Sequence, residues 1–373
     1  MMTPIRRNIL LNPGPATTTN TVKFAQVVPD ICPREAEFGL LMEEVSSELT
    51  RFVTDEHGYT TVLFGGSGTA AVESILSSAI GDDTVLIINN GAYGKRMCEI
   101  AEAYDLHYLE FPSPPDRPID MIALESIVGS HAIPNLAVVH LETTTGLLND
   151  ITSIGNLCRR HNIDFIVDAM SSFGAIPIRM ADMNISFLAA SSNKCLQGMP
   201  GVCFVVANNE KVTALKDRKP RNYYLNLYEQ HRHFVKTRQM RFTPPVQTFY
   251  ALQQAIMELK QEGVIERYER YKKSWETIID GITQLGLTFI VSKEHHSKIV
   301  TSIVEPDCSG YDFQEMHDYL YDQGFTIYPG KLDNRKTFRI ANIGDVTHED
   351  MTAFLKSLEN YLRTIDFFRK ADE

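Results

Sequence analysis

The sequence predicts an α/β chain built on a mostly parallel sheet flanked by helices, followed by a smaller α/β region. Three observations carry that prediction. Between residues 60 and 206, short apolar runs alternate with amphipathic stretches of helical period, the order that builds βαβ units. The runs, such as Leu136-Ala137-Val138-Val139 and Phe165-Ile166-Val167, are continuously apolar, as strands covered on both faces are. Most of them end in turns rich in glycine, serine, threonine or asparagine. A length of 373 residues suggests about two domains. The expected division is a large domain over 16–250 and a small one over 251–373, with residues 1–15 packing against the latter.

Composition narrows the function. Apolar residues make up 43% and charged residues 22%, ordinary for a globular protein. A net charge of −11 argues against nucleic-acid binding, which wants a basic face, yet permits a locally positive site. No apolar run approaches the ~20 residues that span a bilayer. Residues 1–7 are basic but lack an adjoining apolar stretch. The six cysteines form no C-x-x-C pair, so the chain reads as cytoplasmic. No histidine pair has H-x-x-x-H spacing, which speaks against a metal site.

The elements follow in order. A short strand from residue 8 stops at Asn12-Pro13-Gly14-Pro15, which cannot continue a ladder or a helix. It is either a plain turn or a backbone stretch lining a cleft. Over 35–52, Phe38, Leu41, Met42, Val45, Leu49 and Phe52 recur at helical spacing. The strand 60–64 runs straight into Gly65-Gly66-Ser67-Gly68-Thr69 and then a helix from Ala70. Such a turn offers free N–H groups, a helix dipole and two hydroxyls to an anion. A tight βα turn with a hydroxyl cap accounts for the same residues, and the glycine spacing is neither Walker-type nor dinucleotide-type. After strand 84–88, Tyr93 sits among small residues, placed to pack or to stack on a flat ring. Strand 107–111 and helix 120–129 follow. Strand 136–141 leads to Glu142-Thr143-Thr144-Thr145-Gly146, a hydroxyl-rich turn where open sheets bind ligands. Helix 151–161 and strand 163–167 end at Asp168, a turn acid or the partner of a cation.

Strands 185–190 and 202–206 enclose Ser191-Ser192-Asn193-Lys194-Cys195-Leu196-Gln197-Gly198-Met199-Pro200-Gly201. Its lone lysine is either a solvated turn residue or a desolvated amine. The latter has a lowered pKa and can attack a carbonyl, as the lysine that holds pyridoxal phosphate must. Residues 216–241 are charged and aromatic, either a solvated excursion or a loop facing a second subunit. Helices are expected over 249–262 and 266–285, strands over 288–291 and 299–304, a helix over 311–323 and a strand over 325–328. Arg339 lies in the apolar strand Thr337-Phe338-Arg339-Ile340-Ala341. A buried arginine needs an anion, supplied by an internal salt bridge or by a ligand. A last helix over 347–368 and a loose tail over 369–373 close the chain.

Ser67, Gly68, Thr69, Tyr93, Thr143, Asp168 and Lys194 all fall at strand ends or just beyond them. Together with Phe64-Gly65-Gly66-Ser67-Gly68-Thr69, Asp168-Ala169-Met170-Ser171-Ser172-Phe173-Gly174 and the Lys194 loop, they make the chain resemble the class V aminotransferases. These are fold-type I enzymes dependent on pyridoxal 5′-phosphate (PLP), and the likeness runs from Asn12 to the Arg339 segment. The resemblance implies that Lys194 holds the cofactor and shuttles a proton. Asp168 would pair with the pyridinium nitrogen. Ser67, Gly68, Thr69 and Asn193 would bind the phosphate, Tyr93 would stack on the ring and Thr143 would bond near its 3′ oxygen. Thr243 would reach the phosphate of a partner in a homodimer, and Arg339, with Asn12 and Gly14, would meet the substrate. The implied reaction moves the amino group of 2-aminoethylphosphonate to pyruvate. Alanine–glyoxylate or serine–pyruvate transfer on the same cofactor site is the alternative. A cysteine desulfurase is disfavoured because no cysteine lies in 325–339, and a nucleotide-binding module because the Walker lysine is missing.

Overall fold

A computed structural model describes residues 8–55, 57–219, 221–332 and 335–368; the basic start over 1–7 and the tail over 369–373 lie outside them. In chain order the strands are β1 (Ile9–Leu10), β2 (Tyr59–Gly66), β3 (Thr84–Asn89), β4 (His107–Pro112), β5 (Asn135–Val139), β6 (Leu141–Glu142), β7 (Leu147–Leu148), β8 (Asp164–Asp168), β9 (Ile185–Ser191), β10 (Gly201–Asn208), β11 (Val300–Val304), β12 (Phe325–Thr326), β13 (Tyr328–Pro329) and β14 (Thr337–Ala341). The α-helices are α1 (Asn20–Phe24), α2 (Ala36–Arg51), α3 (Gly68–Ala79), α4 (Ala92–Ala103), α5 (Met121–Ser130), α6 (Ile151–His161), α7 (Asn209–Ala214), α8 (Leu227–Thr237), α9 (Val246–Glu262), α10 (Val264–Gln284), α11 (Phe313–Asp322) and α12 (His348–Thr364).

Seven strands form the main sheet in the order β2-β10-β9-β8-β5-β3-β4. All pairs are parallel except those of β10, which is antiparallel to both β2 and β9. The exception has a local cause. A parallel connection needs a crossover of a dozen or more residues, and only residues 192–200 separate β9 from β10. The chain therefore turns back on itself, and that turn carries Lys194.

The continuous apolar runs serve two cores. Leu86, Ile88, Leu136, Val138, Phe165 and Val167 point to one face, under α2, α5, α6 and α9. Val85, Ile87, Ala137, Val139 and Ile166 point to the other, under α3 and α4. Successive strand residues face opposite ways, so a strand between two helical layers must be apolar at every position. Each fully buried aliphatic side chain contributes roughly 1.5–3 kcal/mol.

The C-terminal third builds a smaller sheet, β11-β14-β13, packed against α10, α11 and α12 through Trp275, Ile278, Phe338, Phe354 and Leu358. The N-terminal strand packs onto the same region: β1 forms a separate two-stranded parallel sheet with β12, and Ala341 N–H donates to Leu11 O at 2.7 Å.

Several expected elements differ. Residues 288–291 are β-branched and aromatic but form only a single bridge, Phe289 to Ile303. The segment lies along β11 through two backbone bonds, Val304 N to Thr288 O and Ile290 N to Ser302 O, and then turns away. The 325–328 strand is two short strands, because the chain changes partner at Ile327, from β1 to β14. The 136–141 strand breaks at His140, beyond which Leu141 and Glu142 pair with Leu148 and Leu147. The charged stretch 216–241 contains α8, capped by the Asn226 side chain on Glu229 N–H at 2.9 Å.

Candidate active site

Because β2 and β9 both run opposite to β10, their C-terminal ends fall on the same side as those of β3, β5 and β8. The segments that follow β2, β3, β8 and β9 converge on one cavity of about 590 Å³. Ser67, Gly68, Thr69, Tyr93, Arg96, Asp168, Met170, Asn193 and Lys194 are among its lining residues. Crevices at the carboxyl ends of such strands are where open α/β sheets bind ligands.

The Lys194 turn is held from three directions. Gly198 N–H donates to Ser192 O and Gln197 N–H to Lys194 O. Ser192 Oγ donates to Val202 O at 3.0 Å. From α10, Arg267 donates through Nη1 to Cys195 O at 2.8 Å, while Tyr271 Oη accepts from Gln197 Nε2 at 2.7 Å. Arg267 is itself 1% exposed and paired with Glu262 at 2.6 Å. The amine of Lys194 donates to Pro13 O at 2.5 Å. Gly14 covers it: φ is +132°, and a Cβ there would lie 2.3 Å from Lys194 Nζ. Burial lowers the Lys194 pKa, and the Arg339 guanidinium adds to the effect, against the opposing influence of Tyr93, Cys195 and Asp168.

Asp168 ends β8. One oxygen accepts from Met170 N–H at 2.9 Å. Burial pushes its pKa up to about 6, helped by Glu142 and resisted by Arg96 and Lys194; a cation brought against the carboxylate would lower it again. Ser67 caps α3 but makes no side-chain cap bond, so its hydroxyl and the first-turn N–H groups face the cavity. Gly68 packs closely on Met170, whose Sδ would lie 2.3 Å from a Cβ there. Asn193 accepts from Ser191 Oγ at 2.9 Å.

Tyr93, in the first turn of α4, is oriented from below by Glu142. That fully buried carboxylate accepts from the N–H groups of Tyr93 and Gly94 and from both the N–H and hydroxyl of Thr144. Burial opposes ionisation of the Tyr93 phenol, but its pKa is lowered overall by the Thr143 hydroxyl and by Lys194, Lys331 and Arg339. The Thr143 hydroxyl lies beside that phenol, yet among the described residues it makes no hydrogen bond of full geometry. The Arg96 guanidinium lies 4.8 Å from the Tyr93 ring centroid.

Arg339, on β14, is 2% exposed. Nε donates to Pro329 O at 3.0 Å and Nη1 to Thr143 O at 3.2 Å. Among the described residues no carboxylate pairs with it, so the internal salt bridge that the sequence left open is absent there. Burial lowers its pKa, and Tyr93 is the first group opposing that shift.

The structure does not gather every expected residue here. Asn12, Gly14, Thr143, Thr243 and Arg339 are not among the cavity's lining residues, and Thr243 is exposed. Asn12 is buried and its amide donates to Pro15 O at 3.1 Å, which fixes the turn that presents Gly14. Reading the sequence missed Glu142, Arg96, Arg267 and Lys331. Glu142 stood in plain view at a strand end; the others sit on helices or a loop with no local sign of a ligand.

The site suits a flat, cationic ring bearing a phosphate. It has an uncapped helix N-terminus with hydroxyls, a carboxylate with one oxygen uncommitted among the described residues, an orphaned hydroxyl at Thr143, an aromatic wall and a buried amine. These are the parts of a fold-type I PLP-dependent transferase. The chain belongs to the class V aminotransferases, whose family model matches residues 21–332, and it is a PLP-dependent aminotransferase. It is 41% identical over 365 residues, covering 95% of this chain and 97% of the relative, to the 2-aminoethylphosphonate–pyruvate transaminase of Salmonella dublin. Its fold is similar to that of alanine–glyoxylate aminotransferase from Nostoc sp., with a TM-score of 0.89 at 26% identity and 97% of each chain covered. It also resembles pyridoxamine–pyruvate aminotransferase from Mesorhizobium loti, with a TM-score of 0.89 at 25% identity, covering 99% of this chain and 95% of that one. Among the described residues no helix is long and apolar enough to cross a membrane.

Proposed function

We propose that this chain moves the amino group of 2-aminoethylphosphonate to pyruvate, giving phosphonoacetaldehyde and L-alanine. The observation that carries the reading is Arg339, a buried guanidinium with no carboxylate partner among the described residues, beside the Lys194 amine. Such a group awaits an anionic substrate, and its planar fork serves a phosphonate and a carboxylate alike. The similarity to 2-aminoethylphosphonate–pyruvate transaminases over 95% of the chain supports the choice of donor.

Bound PLP supplies a carbonyl carbon for the amine and an electron-withdrawing ring that stabilises charge at the substrate carbon. The residues around it take the following roles. Lys194, its amine pKa lowered by burial, would hold the cofactor and carry a proton to and from the substrate's amino-bearing carbon. Asp168 would keep the pyridine nitrogen protonated. Ser67, Gly68, Thr69 and Asn193 would hold the phosphate, Tyr93 would stack on the ring and Thr143 would bond near its 3′ oxygen. The Asn12–Gly14 turn lines the substrate side, with Pro13 O holding the Lys194 amine.

The working form is a homodimer in which Thr243 reaches the neighbouring cofactor phosphate. Supporting this, Thr243 lies beside an exposed aromatic group: Tyr223 is 75% exposed, and Tyr224 stacks on Phe242 at 4.9 Å. The six cysteines are free, which suits the cytoplasm. We divide the chain into a large domain over 16–250 and a small one over 251–373.

The test is the visible absorption of the PLP-loaded protein. Adding 2-aminoethylphosphonate without pyruvate should remove the band of the lysine-held cofactor, and pyruvate should restore it. A protein that ignores this donor but responds to L-alanine or L-serine would instead be an alanine–glyoxylate or serine–pyruvate type enzyme.

A further inference from the structure

We propose that Lys331 is the residue that favours a phosphonate over a carboxylate at this site, by supplying a second positive charge beside Arg339. The inference rests on the proposed donor and concerns how the donor is chosen.

Lys331 follows β13 directly. Gly330 N–H donates to Thr337 O at 2.6 Å, and a Cβ at Gly330 would lie 1.9 Å from Thr337 Oγ1. The turn that presents Lys331 is therefore pressed onto β14, two residues from Arg339. The same turn receives Arg339 through Pro329 O. The Lys331 ammonium lies 5.3 Å from the Tyr93 ring centroid, and both it and Arg339 favour ionisation of the Tyr93 phenol. The two cations thus flank one side chain of the cavity wall. Lys331 is exposed and, among the described residues, has no carboxylate in ion-pair range.

The charges of the two substrates differ in the way this arrangement fits. A carboxylate carries one negative charge and two oxygens, which a single guanidinium can satisfy in bidentate fashion. A phosphonate has three oxygens and, like a phosphoryl group, approaches two charges near neutral pH. Arg339 alone leaves one oxygen and up to one charge unmet. A compact ammonium on a flexible stem is suited to that third oxygen. Pyruvate, which brings a single carboxylate, has no comparable need of Lys331.

The experiment is steady-state kinetics of PLP-loaded wild type, Lys331→Ala and Lys331→Arg. In a ping-pong reaction, kcat/KM for each substrate reports its own half-reaction. The donors are 2-aminoethylphosphonate and 3-aminopropanoate, which has the same skeleton with a carboxylate in place of the phosphonate. Lys331→Ala should lower kcat/KM for 2-aminoethylphosphonate by on the order of tenfold, the worth of one charge-assisted bond. The values for pyruvate and 3-aminopropanoate should stay within about threefold of wild type, because they lack the second charge. Lys331→Arg should recover most of the loss. A uniform fall for all substrates, or no change for the phosphonate, would overturn the inference while leaving the donor assignment standing. Wild-type enzyme that does not use 2-aminoethylphosphonate would overturn both.

Discussion

Replacing Arg339 by lysine keeps the charge and removes the fork, so it separates two explanations of the residue. In the structure Nε donates to Pro329 O at 3.0 Å and Nη1 to Thr143 O at 3.2 Å, and the Tyr93 phenol also interacts with the guanidinium, so an anion would meet the N–H groups that these partners leave. A lysine is shorter and cannot hold both carbonyls while facing the substrate. We expect it to lose one charge-assisted bond to the substrate and at least part of the fixed geometry. Each such bond is worth about 1.5–3 kcal/mol, so a total of about 2–4 kcal/mol is expected. At about 1.4 kcal/mol per factor of ten, that is a fall of roughly 30- to 1,000-fold in kcat/KM. Because one guanidinium serves both half-reactions, 2-aminoethylphosphonate and pyruvate should suffer together. The assay is ping-pong kinetics with each substrate varied, alongside the visible spectrum, which should still show bound cofactor. Activity within about threefold of wild type would refute the assignment of Arg339 as the anion receptor, as would a loss confined to one substrate.

Three further outcomes are expected. Asp168→Asn keeps the shape of the β8 terminus and removes the charge, so the protein should fold and bind PLP while kcat falls about 10²–10⁴-fold; near-normal turnover would remove Asp168 from the chemistry. Gly14→Ala puts a methyl group where Lys194 Nζ and Cδ now lie, 2.3 and 2.4 Å away, at a φ of +132°. The lysine should be displaced, with loss of the visible cofactor band at unchanged secondary structure by circular dichroism; a normal band would disprove the contact. Glu262→Gln strips the buried Arg267 of its charged partner and should cost about 3–5 kcal/mol in denaturant unfolding. Glu262 also carries a sign in pH. Burial alone would raise its pKa, but Arg270 and Arg267 hold it below the ordinary glutamate value of about 4.5. The folded state therefore binds its proton less readily than the unfolded state. Its stabilisation is complete above the unfolded value and disappears as pH falls through the lower folded one. The gap between wild type and Glu262→Gln should accordingly narrow below about pH 4.5; a gap independent of pH would contradict the pairing.

Much of the site was legible because it is written locally. A parallel sheet sends its strand ends to one side, so Ser67, Tyr93, Asp168 and Lys194 could be assigned to one cavity from their positions after apolar runs. The helix over 227–237 was harder to see. Only Leu227 and Gln230 of its residues are buried, so charge dilutes its period; the Asn226 cap with Glu229 three residues on was the available signal. Strand propensity at 288–291 was real but not decisive, since a ladder needs a neighbour that continues alongside.

The sequence by itself determined the alternating α/β order, the two-sided burial of the strands and the residue types gathered at their ends, because these follow from side-chain period and turn chemistry over a few residues. Tertiary structure alone decided what meets across long separations. Pro13 and Gly14 close over Lys194, 181 residues away. Arg339 reaches the carbonyl of Thr143, 196 residues away, and has no carboxylate in ion-pair range among the described residues. Lys331 comes to the Tyr93 ring. Such contacts are set by the packing of the small sheet against the large one, and neither segment carries a local pattern that names its partner.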